Sequence, residues 1–215
     1  MTRLLLIRHG ANDAHKEGVL TGWTPGVHLN QEGRVQAEAL ARRLASVGIA
    51  AVYASPLERT LETAEIVAAP HNVPVVVRED LGEVRLGRWT GQPLEKLRKQ
   101  RLWRKVQFVP SVMRFPGGES FQEVQARAVA EVEHLCLEHP EQTIAIVSHA
   151  DVLKAFVAYA IGLHLDLFQR LVIAPASLTV LDVGDLMPRL LCLNDISHLP
   201  AVPEEKKWAN PNGSN

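Results

Sequence analysis

The chain has 215 residues, of which 47% are hydrophobic and 22% are charged, a composition typical of a globular protein with one large domain or two small ones. Its 23 lysines and arginines and its 24 acidic residues give a net charge of −1, which argues against binding of nucleic acid through phosphate neutralisation. Only two cysteines occur, Cys136 and Cys192, and their separation excludes a disulfide framework and a Cys-x-x-Cys zinc or redox motif.

The first half of the chain alternates between predicted strands and helices. Short apolar runs without polar alternation predict strands that are covered on both faces, at residues 4–7, 51–54 and 73–77. Between them, apolar residues spaced three and four apart predict amphipathic helices over residues 35–47 and 57–67. Asn30 is the expected N-cap of the first helix and Gly48 its stop, while Ser55 and Pro56 are expected to begin the second.

The second half continues the alternation. Ser120 and Glu123 form a capping box ahead of a helix that is expected to end before Pro140. A buried strand is predicted at residues 143–147, and Asp151 is expected to cap a helix that stops at Gly162. Two closing strands, at residues 178–183 and 189–193, are predicted around a Gly184-Asp185 turn, with Pro188 making the second an edge strand.

This order of elements predicts the fold class. Alternating strands and helices favour an α/β fold, a three-layer α/β/α sandwich with a mostly parallel sheet. No internal linker interrupts the chain, so one domain is expected over residues 1–198. Residues 82–119 are the least regular part and are expected to form a partly helical insertion, and residues 199–215 a poorly ordered tail.

Polar side chains follow three of the predicted strands, at the edge of the sheet where ligands bind in such folds. Arg8 and His9 come after the first strand, Arg59 lies shortly after the second, and His149 follows the strand at residues 143–147. Two arginines beside two histidines make a poor zinc site, because the cations repel a metal ion. They make a good site for a phosphoryl group, since guanidinium donors match phosphate oxygens.

Phosphoryl transfer needs fixed positive charge, a nucleophile and an acid. One neutral histidine is available to attack phosphorus and form a covalent intermediate. Gly10 is expected to let the backbone approach the phosphate, and Ala150 to present its amide at a helix start. Glu83 is the best candidate for the acid that protonates the leaving alkoxide. Each of these residues taken alone is as well explained by an ordinary structural role.

The run Leu-Ile-Arg-His-Gly at residues 6–10 resembles the opening motif of the histidine phosphatase superfamily, which includes cofactor-dependent phosphoglycerate mutase. The resemblance extends from about residue 3 to residue 195. Six further matches follow in the same order: Thr21-Gly22-Trp23; Leu29 with Glu32-Gly33 and Gln36-Ala37; Ser55-Pro56-Leu57 with Arg59 and Thr63-Ala64; Glu83 with Gly87, Trp89 and Gly91; Pro116-Gly117-Gly118-Glu119-Ser120; and Val147-Ser148-His149.

The resemblance implies a role for each matched residue. His9 would be the phosphorylated nucleophile and Glu83 the proton donor, and three residues would hold the phosphoryl group: Arg8, Arg59 and His149. Further substrate contacts are implied at three positions: Asn12, Thr21 and Gly22. The chain departs from the usual family pattern at four positions, which affects specificity more than reaction type: Ala11, Asn12, His15 and Ala150.

Three functions remain open from the sequence. Mutases of the family carry a longer insertion after the catalytic glutamate, so the short stretch after Glu83 favours a phosphatase over a phosphoglycerate mutase or another phosphomutase. A phospho-ligand binding protein without turnover is the alternative from another class. The expected enzyme is a metal-independent phosphomonoesterase without a cofactor, acting on a small phosphorylated metabolite. The basic residues between Arg98 and Lys105 are interpreted as a solvated helix face.

The cellular setting is also predicted. The nearly apolar stretch at residues 155–163 is too short to span a bilayer, and the N-terminal apolar run of four residues is too short for a secretory signal. We therefore expect a cytoplasmic protein with neither nucleic acid nor a membrane as partner. A homodimer is left open.

Overall fold

A sheet of six strands lies at the centre of the part that the computed structural model describes, residues 1–184 and 187–200 without the side chains of 15 and 16. Its strands run in the order β3-β2-β4-β1-β5-β6. The first four strands along the chain pair in parallel, and the last two are antiparallel additions beside β1. The strands are β1 (Thr2–Arg8), β2 (Ile49–Ala54), β3 (Val75–Val77), β4 (Thr143–Ser148), β5 (Leu178–Val183) and β6 (Arg189–Asp195).

Helices cover both faces of this sheet. Alternate residues of β1 point to opposite faces, so Leu5 and Ile7 belong to one buried apolar cluster while Leu4 and Leu6 belong to another. Helices α2 and α3 pack in the first cluster, and α6 and α7 pack in the second. The predicted three-layer α/β/α sandwich is confirmed. The helices are α1 (Asp13–Glu17), α2 (Gln31–Leu44), α3 (Glu58–Ala68), α4 (Leu94–Arg98), α5 (Arg101–Phe108), α6 (Phe121–Glu138) and α7 (Ala150–Ala160).

Two helix starts follow the sequence signals closely. The Asn30 side chain accepts a hydrogen bond from the Gly33 N–H at 2.9 Å, as expected of an N-cap. Ser120 and Glu123 form the predicted reciprocal capping box. The edge position of β6, which follows Pro188, is also as predicted.

Three helix boundaries differ from the prediction. Helix α3 begins at Glu58 with Leu57 as its N-cap, so Ser55 and Pro56 lie outside it. The N-cap of α7 is His149 and not Asp151, which instead lies in the first turn. Helix α2 ends at Leu44, well before Gly48. The Ser55 hydroxyl instead contacts Nε2 of His149 at 2.8 Å, and the Asp151 carboxylate lies 3.4 Å from Nζ of Lys154 within α7.

The irregular segment after β3 consists of short pieces. Three 3₁₀ turns, at Glu79–Leu81, Gly87–Trp89 and Pro110–Val112, alternate with α4 and α5. In the described part of the chain, no helix has the length and apolar character needed to cross a membrane. Predictions about Asp185, about the side chain of His15 and about the tail from residue 201 lie outside the described residues, and the domain boundary at residue 198 stays a prediction.

Candidate active site

The carboxyl ends of β2, β4 and β1 lie side by side in the sheet. Arg8 pairs with Ser148 across β1 and β4, and Ala54 pairs with Val147 across β2 and β4. Beyond these pairs the His9 N–H donates to the Ser148 carbonyl at 3.0 Å, and the Ser55 N–H donates to the Val147 carbonyl at 3.1 Å. The sheet register thus brings together the residues that follow the three strands.

His9 is buried at the end of β1, with 2% of its surface exposed. Its Nδ1 lies 2.8 Å from the Gly10 carbonyl oxygen. A carbonyl oxygen accepts hydrogen bonds only, so Nδ1 carries a proton, and in the neutral ring Nε2 holds the lone pair. The imidazole is therefore held in the tautomer that attack through Nε2 requires.

His149 is fully buried beside His9, with ring centroids 5.3 Å apart. Its Nε2 lies 2.8 Å from the Ser55 hydroxyl oxygen, which serves it as donor or acceptor according to the tautomer. Its Nδ1 lies 3.3 Å from Nη2 of Arg59. Burial, reinforced by the charge of Arg59, holds the pKa of His149 well below its ordinary value, so this imidazole is neutral at neutral pH.

Two guanidinium groups border the histidines. Nη1 of Arg8 donates to the Ile173 carbonyl at 2.7 Å, and Nη2 of Arg59 donates to the Gly22 carbonyl at 2.9 Å. Arg59 is 1% exposed, and within the described residues its Nη1 has no hydrogen-bond partner. A buried charged donor without a partner is costly. Its presence beside a second arginine indicates a site built to receive an anion.

Glu83 faces the same space from the irregular segment. Its Oε1 accepts from the Val84 N–H at 2.9 Å, and its Oε2 lies 3.6 Å from Nδ1 of His149. Burial raises the pKa of this carboxyl above its ordinary value, against the opposing charge of Arg59. A carboxyl with a raised pKa keeps its proton closer to neutral pH, as a general acid requires.

The backbone of Glu83 is held from two directions. Its carbonyl oxygen accepts from Nε1 of Trp23 at 2.5 Å and from Nη2 of Arg127 at 3.1 Å. Arg127 lies on α6, where it also pairs with Glu119 at 2.9 Å. These long-range contacts fix a loop that has no regular structure of its own.

A cavity of about 180 Å³ opens above these groups. It is bordered by most of the predicted site residues: Arg8, His9, Thr21, Gly22, Arg59, Glu83 and Ala150. His149 lies behind this wall, fully buried. Asn12 is buried but does not border the cavity, so its contact with a substrate stays a prediction.

The lining also contains residues that the sequence pattern does not assign to the site. The sequence predicts Asp151 only as a helix cap, and Leu94 belongs to the irregular insertion. No local motif marks these positions, because they reach the cavity through the packing of separate segments. The additional lining residues are Ala14, Val19, Leu20, Val84, Leu86, Leu94 and Asp151.

Gly10 has a structural reason to be glycine, and the predicted approach of its backbone to phosphate stays a prediction. A Cβ at this position would lie 2.6 Å from the Gly33 carbonyl oxygen at the start of α2. Its N–H donates to the Thr63 hydroxyl at 3.1 Å. The loop after β1 is therefore pressed against two helices, and the small residue is required by that backbone contact.

Comparison with known proteins decides the family. Residues 4–196 match the family described as "Histidine phosphatase superfamily (branch 1)". The chain belongs to this superfamily. Its histidine phosphatase fold is also that of Bacillus stearothermophilus YhfR, whose structure superposes with a TM-score of 0.87 at 32% identity, covering 92% of this chain and 99% of that one.

Two curated relatives carry named activities. Phosphoserine phosphatase 1 of Hydrogenobacter thermophilus is 29% identical over 93% of this chain and 95% of its own length. The 2,3-bisphosphoglycerate-dependent phosphoglycerate mutase of Thermoplasma acidophilum is 29% identical over 96% of this chain and 97% of its own. This histidine phosphatase is a phosphoric monoester hydrolase.

Proposed function

We propose that this histidine phosphatase hydrolyses a phosphomonoester of a small metabolite through a phosphohistidine at His9, without a metal ion. The proposal rests above all on two guanidinium groups, the His9 imidazole and a carboxyl of raised pKa that border one cavity, with the His149 imidazole directly behind them. Fixed positive charge takes the place that a metal ion holds in other phosphoryl-transfer sites.

In the first half of the reaction, Nε2 of His9 attacks phosphorus and forms the N–P bond while the bond to the ester oxygen breaks. Glu83 gives its proton to the departing alkoxide, which leaves as the alcohol. Arg8 and Arg59 hold the non-bridging phosphoryl oxygens, and the Ala150 amide at the start of α7 adds a donor. His149 is the third proposed phosphoryl contact, in the tautomer that carries the proton on Nδ1 while Nε2 accepts from the Ser55 hydroxyl.

In the second half, water replaces the alcohol in the cavity. The Glu83 carboxylate accepts a proton from this water as its oxygen attacks phosphorus, and the N–P bond breaks. Inorganic phosphate leaves, and His9 and protonated Glu83 are restored. Thr21 and Gly22 border the cavity beside the leaving group, and Asn12 is the third proposed substrate contact.

Mutase activity is a second candidate because the Thermoplasma acidophilum mutase is a full-length relative. The cavity supports hydrolysis instead, because Arg8 and Arg59 are the only cations among its described lining residues. A bisphosphate carries a second phosphoryl group, for which the described lining residues supply no further cation. A binding protein without turnover is the remaining alternative, motivated by the departures at Ala11, Asn12 and His15.

The test compares wild type, His9→Ala and the surface control His134→Ala with p-nitrophenyl phosphate in EDTA. We expect wild type and His134→Ala to release phosphate equally, and His9→Ala to lose at least about a thousandfold in kcat while its circular dichroism is unchanged. A His9→Ala variant that keeps most of its activity refutes the covalent mechanism. Loss of wild-type activity in EDTA that zinc or magnesium restores refutes metal independence.

The same preparations separate the alternatives. Acid-labile, alkali-stable phosphorylation of wild type but not of His9→Ala supports the phosphohistidine. Conversion of 3-phosphoglycerate to 2-phosphoglycerate faster than phosphate release, in the presence of 2,3-bisphosphoglycerate, would assign the mutase. Tight phosphate binding without release from a broad ester panel would assign the binding protein.

A further inference from the structure

The wall of the active-site cavity is apolar above the groups that face the phosphoryl position. Six side chains from four separate segments form it, and none offers a charge or a hydrogen bond to a ligand. They are Ala14, Val19, Leu20, Val84, Leu86 and Leu94. An alcohol held against this wall loses contact with water, so an apolar chain gains free energy there and an ionised group loses it.

The described lining offers no cation for a second anionic group. Arg8 and Arg59 lie at the floor, where the phosphoryl group requires both. The basic side chains on α4 and α5 and between them do not border the cavity, which agrees with their interpretation as a solvated face; they are Arg98, Lys99, Arg101, Arg104 and Lys105. As far as the described lining residues go, a carboxylate on the alcohol would therefore be desolvated without a counter-charge.

Asp151 adds a negative charge at the same place. It lies in the first turn of α7 and borders the cavity. Burial is the main reason that the pKa of Glu83 is raised, and the negative charge of Asp151 raises it further. The charge of Asp151 is therefore felt by the groups that face the phosphoryl position. Oδ1 of Asp151 lies 3.4 Å from Nζ of Lys154. Lys154 also contacts Gln169 at 3.1 Å, and it does not border the cavity. This partly exposed pair attenuates the charge of Asp151 without removing it.

We propose that the cavity selects phosphomonoesters of uncharged, largely apolar alcohols, and that Asp151 acts as a specificity-determining residue by repelling esters with a second anionic group. This inference rests on the proposed hydrolysis and narrows its substrate class. The proposed substrate class differs from phosphoserine and phosphoglycerate, after which two relatives are named, because both of those molecules carry a carboxylate as well as a phosphate. Selection by repulsion is a common way to reject an otherwise similar ligand.

Three esters of a three-carbon primary alcohol test the apolar wall: n-propyl phosphate, sn-glycerol 3-phosphate and 3-phosphoglycerate. They share the phosphate and the length and differ in the far end, which is apolar, hydroxylated or ionised. We expect kcat/KM to fall in that order, with propyl phosphate favoured over 3-phosphoglycerate by at least about tenfold. A preference for 3-phosphoglycerate overturns the inference.

The Asp151→Asn variant tests the repulsion. The ratio of kcat/KM for 3-phosphoglycerate to that for propyl phosphate is expected to rise about fivefold, and the increase should shrink in high salt. Taking the ratio largely removes any change in the acidity of Glu83, because both esters release a primary alkoxide of similar basicity. The control Glu133→Gln removes a carboxylate on α6 that does not border the cavity and should leave the ratio unchanged. An unchanged ratio in Asp151→Asn refutes the role of Asp151.

Binding to His9→Ala separates this inference from the proposed function. Calorimetry with the same three esters is expected to give the same order of affinity in the absence of turnover. If wild type releases phosphate from none of the esters while the order of affinity is as expected, the proposed hydrolysis is refuted and the inferred selectivity is supported. If wild type releases phosphate but His9→Ala binds 3-phosphoglycerate more tightly than propyl phosphate, the inferred selectivity is refuted and the proposed hydrolysis is not.

Discussion

The contact between Ser55 and His149 gives a test of how the site is held in place. Both residues are fully buried, and the hydroxyl oxygen of Ser55 lies 2.8 Å from Nε2 of His149. Replacing Ser55 by alanine leaves a buried ring nitrogen without its partner. A buried polar atom that loses its hydrogen bond costs about 1–3 kcal/mol, so we expect Ser55→Ala to lower the free energy of unfolding by about 2 kcal/mol.

The same substitution should impair catalysis, because the ring of His149 loses one of the contacts that orient it toward the phosphoryl position. A misplacement on the order of 1 Å in a positioned group can cost about a hundredfold in rate, and we expect kcat for p-nitrophenyl phosphate to fall by about tenfold to a hundredfold. A change in binding alone would appear in KM instead.

Ser177 provides a matched control. It is also a fully buried serine beside a strand end, but in the described part of the chain its hydroxyl has no hydrogen-bond partner. Ser177→Ala therefore removes a buried hydroxyl that is already unsatisfied, so the free energy of unfolding should not fall. Urea denaturation at neutral pH measures both variants. Equal stability and equal kcat for Ser55→Ala and Ser177→Ala would refute the reasoning.

Two further predictions concern the acid and the loop after β1. Because burial raises the pKa of Glu83, Glu83→Gln should slow alkyl esters at least about tenfold more than aryl esters and remove the loss of activity seen as pH rises through that pKa. Equal losses of kcat on alkyl and aryl esters would contradict the role of Glu83 as acid. Since ionisation of Glu83 opposes folding as pH rises above about 4.3, the unfolding free energy of Glu83→Gln should also fall less than that of wild type over this range. Gly33→Ala would place a Cβ 2.1 Å from the Ala11 carbonyl oxygen, and an unfolding free energy about 2–4 kcal/mol lower is expected. Gly48→Ala, with no atom within 4 Å of its Cβ, is the control, and equal effects would show that the contact does not matter.

The parts of the site that the sequence predicts come directly after buried strands. An apolar run such as residues 4–7 predicts a central strand, and parallel strands end at one edge of a sheet, so the sequence pattern by itself places His9 and His149 together. Arg59 lies in the first turn of the helix that follows the next strand, and its guanidinium group reaches His149. Local pattern and sheet geometry suffice for these residues.

The remaining parts depend on contacts between distant segments. The glycines around Glu83 indicate a loop beside a ligand, but the residue that holds this loop, Arg127 on α6, carries no signal in its own neighbourhood. The sequence predicts both Ser55 and Asp151 as helix-start residues, since serine and aspartate are common there. Whether such a side chain caps a helix or turns into a site depends on what packs beside it, which no local pattern encodes.

The position of β5 beside β1 sets a condition on biosynthesis. The N–H of Ala176, just before β5, donates to the carbonyls of Arg8 and His9 at 3.1 and 3.2 Å, so both backbone groups lack these partners until that residue has been synthesised. At ribosomal speeds of about 5–20 residues per second, the wait is roughly ten to thirty seconds. During that interval the end of β1, made at the very beginning of translation, lacks the backbone contact that the segment before β5 supplies.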